Sequence, residues 1–127
     1  MYDIEKKHNH LRVNFSEDFD YETIKRVIHH LTMIREYPHT NDLWIIGKHH
    51  AHIRLSELET MVKEFHCRCP KDATRTKTAV VAERSMTRSV LELWVNAVKK
   101  RVNFDLEVFH SLEEAESWLG VSSCQLV

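Results

Sequence analysis

Apolar residues along the chain alternate between the spacing of strands and the spacing of helices. Short extended segments are predicted at Tyr2–Glu5 and Leu11–Phe15. Asn9 lies between them and suits the positive φ of a tight turn, so we expect an antiparallel hairpin. Residues 21–36 then place apolar side chains three and four positions apart, which predicts a helix that ends before Pro38.

The middle of the chain predicts one strand and one helix. Asp42–Gly47 reads DLWIIG, a continuous apolar run typical of a strand that is covered on both faces. Ser56 and Glu59 have the spacing of a capping box, so a helix is predicted from Ser56 that ends before Pro70. Its inner face would consist of Leu58, Met61, Val62 and Phe65.

The last third of the chain predicts strand, helix, strand and helix with little chain between them. The strands are predicted at Thr78–Glu83 and Phe104–Phe109, and Ser85 opens the helix that joins them. Ser111 then caps a short helix that ends at Gly120. Because a strand–helix–strand unit joins parallel neighbours through a right-handed crossover, this part predicts a parallel sheet.

The complete order, β-β-α-β-α-β-α-β-α, predicts an α/β fold. We expect a mixed sheet of about five strands, with an N-terminal antiparallel hairpin followed by parallel β-α-β units, and four helices packed on it. A chain of 127 residues is long enough for one core. We assign residues 1–120 to a single domain and residues 121–127 to a short C-terminal tail.

Composition narrows the range of functions. The formal net charge of −1 gives no general attraction for nucleic acid, so we expect no nucleic-acid partner. No apolar run approaches the length of a membrane span, and the N-terminus lacks the apolar core of a secretory signal. We therefore expect a cytoplasmic protein with reduced cysteines. The two glycines, Gly47 and Gly120, are too few for phosphate-binding or dinucleotide-binding loops, so no nucleotide cofactor is expected.

Ten histidines and three cysteines suggest metal binding, but their spacing does not support it. His66, Cys67 and Cys69 could chelate a metal, although a structural zinc site usually has two such pairs. The histidines between positions 49 and 52 lack the helical spacing that would orient them together. We expect no metal, no cofactor and no catalytic residue.

A candidate ligand site is predicted where two parallel strands end. Ligands of open α/β sheets gather at the carboxyl ends of strands, and a helix N-terminus with guanidinium groups nearby suits a phosphate or carboxylate. The residues concerned are Arg84, Ser85 and Arg88 at the start of the third long helix, with His49, His50, His52 and Arg54 from the neighbouring loop. The alternative is that the arginines are solvated and that Ser85 only caps the helix.

The third long helix has an apolar surface wider than a sheet requires. One face is expected to consist of Met86, Val90, Leu93, Trp94, Ala97 and Arg101. Leu91, Val95 and Val98 widen this face. These three residues are predicted either to form an interface with another subunit, giving a homo-oligomer, or to pack within the chain.

The element order and several motifs resemble the SpoIIAA-like family of STAS-type domains, which is close in fold to the CRAL-TRIO lipid-binding domains. The resemblance rests on DLWIIG, IRLSELE, TKTAVVAERS and VFHSLEEAESWL, and it covers residues 2–120. The closing motif contributes Phe109, Glu113, Glu114, Ala115, Trp118 and Leu119.

The resemblance implies a binding or regulatory role. STAS domains of partner-switching systems carry a phosphorylatable serine after an aspartate, between the third strand and the second helix. Here that stretch reads GKHHAHIRLSELE, without an Asp-Ser pair, and Ser56 is interpreted as a helix cap. We expect a non-enzymatic module that contacts a protein or holds a small apolar or anionic ligand. The alternatives are a metal- or thiol-dependent enzyme and a partner switch that lacks the usual phosphoserine motif.

Overall fold

The computed structural model describes residues 1–34, 40–54, 56–57, 59–60, 76–100 and 105–120. The strands are β1 (Tyr2–Lys6), β2 (His10–Phe15), β3 (Phe19–Asp20), β4 (Asn41–Gly47), β5 (Ala51–His52), β6 (Lys77–Ala82) and β7 (Asp105–Phe109). The helices with described bounds are α1 (Tyr21–Thr32), α2 (Ser85–Val98) and α3 (Leu112–Leu119). Ser56, Glu57, Glu59 and Thr60 are also helical, but most of the helix predicted from Ser56 lies outside the described residues.

Five strands form the main sheet in the order β1-β2-β4-β6-β7. β1 and β2 are antiparallel, and the other neighbours are parallel, so the predicted mixed α/β sheet is confirmed. The hairpin turn differs from the prediction, because no described residue other than glycine has a positive φ. Asn9 therefore does not supply a left-handed residue, and the Lys7 amide donates to the His10 carbonyl at 2.9 Å across the turn.

Side chains on the two faces of the sheet enter two different cores. Trp44, Ile46 and Val80 pack with residues of α1 and α2 in the larger core. Leu43 and Ala79 point to the opposite face and pack with α3 in the smaller core. The alternation follows from the two-residue period of a strand, and it explains why β4 and β6 are apolar almost throughout.

The ends of α1 and α3 follow from local capping chemistry. The Asp20 carboxylate accepts the Thr23 amide at 3.0 Å and begins α1. Ser111 accepts the Glu114 amide at 3.3 Å, which confirms that it caps the last helix. Gly120 has φ 79°, a left-handed conformation that closes α3 at little cost for a residue without a side chain.

Ser56 does not cap its helix as predicted, and Ser85 opens its helix as predicted but does not cap it. Glu57 accepts the Arg54 amide at 2.8 Å and donates its own amide to the Arg54 carbonyl at 3.0 Å. The reciprocal cap therefore starts at Arg54, and Ser56 is already helical. Arg84 occupies the cap position of α2 without a side-chain hydrogen bond, so Ser85 is the first residue of the helix instead of its cap.

A second, two-stranded sheet has no counterpart in the sequence predictions. β3 and β5 pair in parallel, and the Phe19 amide donates to the His50 carbonyl at 3.0 Å. This pairing connects the chain before α1 to the histidine-rich loop that follows β4.

The apolar surface of α2 is arranged differently from the prediction. Leu91, Val95 and Val98 are buried, with 1%, 3% and 0% of their surface exposed, so intramolecular packing places the predicted interface residues in the core. On the other predicted face Trp94 is buried, whereas Met86 and Leu93 are 75% and 63% exposed. α2 packs on β6 and β7, with more of its contacts to β7. Among the described residues, no helix is long and apolar enough to cross a membrane.

Candidate functional site

The predicted site residues lie where β4 and β6 end, at the edge of the sheet from which α2 begins. Gly47 closes β4 with φ 62°, and the register between β4 and β6 shifts at this point. The Glu83 amide donates to the Gly47 carbonyl at 2.9 Å and holds the two strand ends together. The loop of residues 48–54 leaves from here, as predicted from the rule that parallel strands end at a common edge.

Asp18 organises the histidine loop, although the sequence did not single it out. Its Oδ1 accepts the His50 amide at 2.8 Å. The His49 Nδ1 and His52 Nε2 atoms each lie 3.8 Å from a carboxylate oxygen of Asp18. The His50 hydrogen bond, helped by the neighbouring histidines, holds the pKa of Asp18 below its usual value. The exposed carboxylate is thus kept ionised beside three imidazoles.

Arg84 and Arg88 connect the start of α2 to the ends of the strands. The Arg84 Nε donates to the Lys48 carbonyl at 2.5 Å. The Arg88 Nη1 donates to the Ala82 carbonyl at 3.2 Å and lies 3.4 Å from the Glu83 carbonyl. Each guanidinium therefore has a structural contact, and each has further N–H groups that these bonds do not use.

The start of α2 differs electrostatically from the starts of α1 and α3. Those helices begin with an acceptor side chain and carry acidic residues in their first turns. α2 has no side-chain cap and no acidic residue in its first turn. Ser85 is exposed there, and the Thr87 hydroxyl donates to the His49 carbonyl at 3.3 Å. The positive end of the helix dipole thus faces a loop that carries imidazole and guanidinium groups.

Arg54 is less closely integrated into this site. It is exposed at the far end of the loop, after β5, and its backbone forms the cap with Glu57. His49, Arg84, Ser85 and Arg88 are therefore brought together through the loop backbone and the start of α2. His50 and His52 meet them across Asp18, and their rings stack with centroids 6.0 Å apart.

The site does not present a metal centre in the described part of the chain. No group of three or more histidine, cysteine, aspartate or glutamate side chains in those ranges could hold a metal ion. His66, Cys67 and Cys69 lie outside the described residues, so their chelating role stays an open alternative.

Asp42 is a buried carboxyl group that the sequence analysis treated only as the start of a strand. It is 3% exposed, and its two oxygens accept the Thr78 hydroxyl at 2.6 Å and the Trp44 indole N–H at 2.7 Å. Neither partner is a cation, and burial raises the pKa of Asp42 to about 6. An aspartate that opens an otherwise apolar strand is the sequence signal for such a group.

Comparison with known proteins supports the fold. No protein-family model matches the sequence, and no curated protein does. The structure is similar to the crystal structure of an uncharacterized protein from the DUF3478 family, with a SpoIIAA-like fold, from Shewanella loihica PV-4. The TM-score is 0.56 and the identity is 13%, with 94% of this chain and 92% of the other covered. The SpoIIAA-like resemblance is thereby confirmed at the level of the fold, whereas the relation to CRAL-TRIO domains stays a prediction.

Proposed function

We propose that this protein is a non-enzymatic binding module that holds a small anionic group at the start of α2. A phosphate or carboxylate there would accept hydrogen bonds from the first amides of the helix and from the Ser85 hydroxyl. Arg84 and Arg88 would supply positive charge, and the histidine loop would form the facing wall. The observation that carries the proposal is the uncapped first turn of α2 beside these groups.

The physical support is an imbalance of charge. A helix N-terminus carries a partial positive charge, which is normally offset by acidic side chains or an acceptor cap. At α2, Arg84 at the cap position and Arg88 one turn later increase the positive potential, whereas Glu83 just before the cap and Asp18 beside the facing loop contribute carboxylates. An anion would relieve this imbalance, and hydrogen bonds to charged groups contribute more than neutral ones.

A non-catalytic role is favoured by how the polar groups are used. Asp18, Arg84 and Thr87 all bond to backbone atoms of the loop, which fixes its position. These contacts suit a preformed recognition surface. The alternative, a metal- or thiol-dependent enzyme, depends on Cys67 and Cys69 outside the described residues.

The test is an NMR titration of the protein with inorganic phosphate at constant ionic strength. We expect shifts of the Ser85, Met86 and Thr87 amides, and an affinity several-fold lower for Arg84→Gln, since one charge-assisted hydrogen bond is lost. Lys100→Gln removes the same charge just after the opposite end of α2 and is the matched control. Equal affinities for the two variants, or shifts confined to other residues, would contradict the proposal.

A second candidate function is self-association through the exposed strip of α2. Met86, Val90, Leu93 and Ala97 lie on one helical face, and the first and third are among the most exposed large apolar residues described. Antiparallel pairing with a second copy would set Met86 against Ala97 and Val90 against Leu93, so that in each pair a larger side chain meets a smaller one. A two-fold interface of this kind is self-complementary.

Sedimentation analysis of Leu93→Glu tests this second candidate. Leu93 is 63% exposed, so the variant should fold normally while its mass in solution falls to that of one chain. Leu91→Glu, which buries a charge in the core, should instead unfold the protein. If the original protein is already a single chain, or if Leu93→Glu keeps the larger mass, the strip is not a self-association surface.

A further inference from the structure

β1 is an edge strand with hydrogen-bonding groups directed away from the sheet. In the described part of the chain, β1 has a neighbouring strand on one side only, β2. The Ser16 amide donates to the Met1 carbonyl and the Lys7 amide to the His10 carbonyl. Because hydrogen-bonded pairs alternate along an antiparallel ladder, Asp3 and Glu5 also direct their backbone groups to β2. The N–H and C=O groups of Tyr2 and Ile4 therefore point outward.

A groove follows this edge between β1 and α1. It has a volume of about 500 Å³, and Tyr2, Ile4 and Ile34 form its apolar part. Arg26 and His30 border it on the helix side, and Met1 and Asp3 border it on the strand side. The Tyr2 hydroxyl is hydrogen-bonded to the His30 Nδ1, which joins the strand wall of the groove to the helix wall.

The opposite face of β1 is acidic. Asp3 and Glu5 are exposed there, because they alternate with the groove-facing Tyr2 and Ile4. Glu5 accepts the Asn14 amide group at 2.6 Å and forms an ion pair with Lys7 at 3.1 Å. Asp3 lies 3.5 Å from the same Asn14 amide nitrogen. The two faces thus differ: the groove is mainly apolar with Arg26 and His30 on its helix side, whereas the side chains of Asp3, at the groove's edge, and Glu5, paired with Lys7, make the other face acidic.

We propose that β1 binds an extended segment of a partner protein as a sixth strand of the sheet, with apolar and basic residues alternating along that segment. Its apolar side chains would enter the groove beside α1, and its lysines or arginines would lie opposite Asp3 and Glu5. Backbone hydrogen bonds to Tyr2 and Ile4 would supply sequence-independent affinity, as in other cases of strand addition.

A second copy of this chain is a poorer occupant of the edge. In an antiparallel complex of two copies, Tyr2 and Ile4 of one copy must pair with outward-directed residues of the other copy. If the two strands pair about position 3, Asp3 lies opposite the other Asp3. Pairing about position 4 sets Asp3 opposite Glu5, and pairing about position 5 sets Glu5 opposite the other Glu5. Like charges directly opposite each other destabilise a strand pair, so the charge pattern favours a basic partner.

The test uses two acetylated, amidated peptides, one alternating lysine with valine and one alternating glutamate with valine. Their binding to the labelled protein is followed by NMR. We expect the lysine peptide to shift and protect the Tyr2 and Ile4 amides and to bind on the order of tenfold more tightly than the glutamate peptide. Ile34→Glu should abolish this binding, whereas Met33→Glu, at an exposed position outside the groove lining, should not.

Charge reversal separates this proposal from non-specific attraction. The double variant Asp3→Lys with Glu5→Lys should invert the preference, so that the glutamate peptide binds better. Failure of the lysine peptide to bind, equal binding of both peptides, or an unchanged preference in the double variant would overturn the proposal. The proposal would also be overturned if the protein self-associates and Ile4→Pro halves its mass in solution. Proline removes an outward N–H group without breaking the hydrogen bonds to β2, so this result would show that a second copy occupies the edge. None of these outcomes depends on phosphate binding at α2.

Discussion

Asp42 shows how one buried side chain can set the pH dependence of the whole fold. It lies on the same sheet face as Trp44, with two neutral hydrogen-bond donors. Two such bonds satisfy the carboxyl oxygens but do not replace the hydration that a carboxylate loses on burial. The protonated form is therefore favoured in the folded protein, which raises its pKa from 3.8 to about 6.

The direction of the pH effect follows from this shift. Between pH 4 and 6 the folded protein holds a proton that the unfolded chain has released, so the contribution of Asp42 to stability decreases as the pH rises. A shift of this size corresponds to about 3 kcal/mol. Asp42→Asn should remove this dependence, at a cost of about 1 kcal/mol for one hydrogen bond that the amide group cannot accept. Urea unfolding at several pH values between 4 and 7 measures how the free energy of unfolding of each variant depends on pH.

Asp3→Asn is the control, because it removes an exposed carboxyl from the same protein. It should leave the decrease between pH 4 and 6 in place. His10 affects the stability in the opposite direction. Burial, together with the nearby Arg12 and Lys7, lowers the pKa of His10, so its contribution to the stability of the fold decreases as the pH falls. The Asp42→Asn variant should therefore keep a stability that rises with pH. A variant that still loses stability towards pH 6 would show that another group causes the effect.

At the scale of elements, α2 shows which information the sequence lacks. Its pattern correctly predicts a helix after β6, but apolar residues cover more than half of its circumference. Periodicity alone cannot choose between the strip of Leu91, Val95 and Val98 and the strip of Met86 and Leu93. The choice depends on where the helix lies on the sheet, and contacts with the edge strand β7 decide it.

The starts of α1 at Tyr21 and of α2 at Ser85 were predicted correctly, but a helix cap was predicted correctly only at Ser111. Ser111 caps α3 because Glu114 three residues later and an apolar run together define the start. At Ser56 the predicted capping box used Glu59, whereas in the structure Glu57 accepts the Arg54 amide instead. A serine before a helix does not by itself show which amide its oxygen will meet.

The candidate site was partly predictable for a similar reason. The carboxyl ends of parallel strands meet at one edge, so the approach of the His49 loop to Arg84 follows from topology alone. Asp18 was not predictable, because it depends on the pairing of β3 with β5. Strands of two residues are too short to show a period, and their partners are more than thirty positions apart.

For the whole molecule, the sheet order implies a gradient of stability. β4 and β6 have strands on both sides and helices on both faces. The small sheet of β3 and β5 has only two pairs of residues in register, although Phe19 is itself buried and hydrogen-bonded. Burial of a single residue does not prevent local opening when few neighbouring contacts support it.

Hydrogen exchange measured residue by residue should reveal this gradient. The Phe19 amide, bonded to the His50 carbonyl, should exchange at least about a hundredfold faster than the amides of Val80 and Val81 in β6, because it opens without global unfolding. All three residues are almost completely buried, so the difference would report local opening and not exposure. Since the histidine loop opens with the small sheet, phosphate bound at α2 should slow exchange at Phe19 and leave β6 unchanged. Equal exchange rates at Phe19 and in β6 without ligand would mean that the histidine loop opens only when the whole protein unfolds. The candidate site would then be as rigid as the core before any ligand binds.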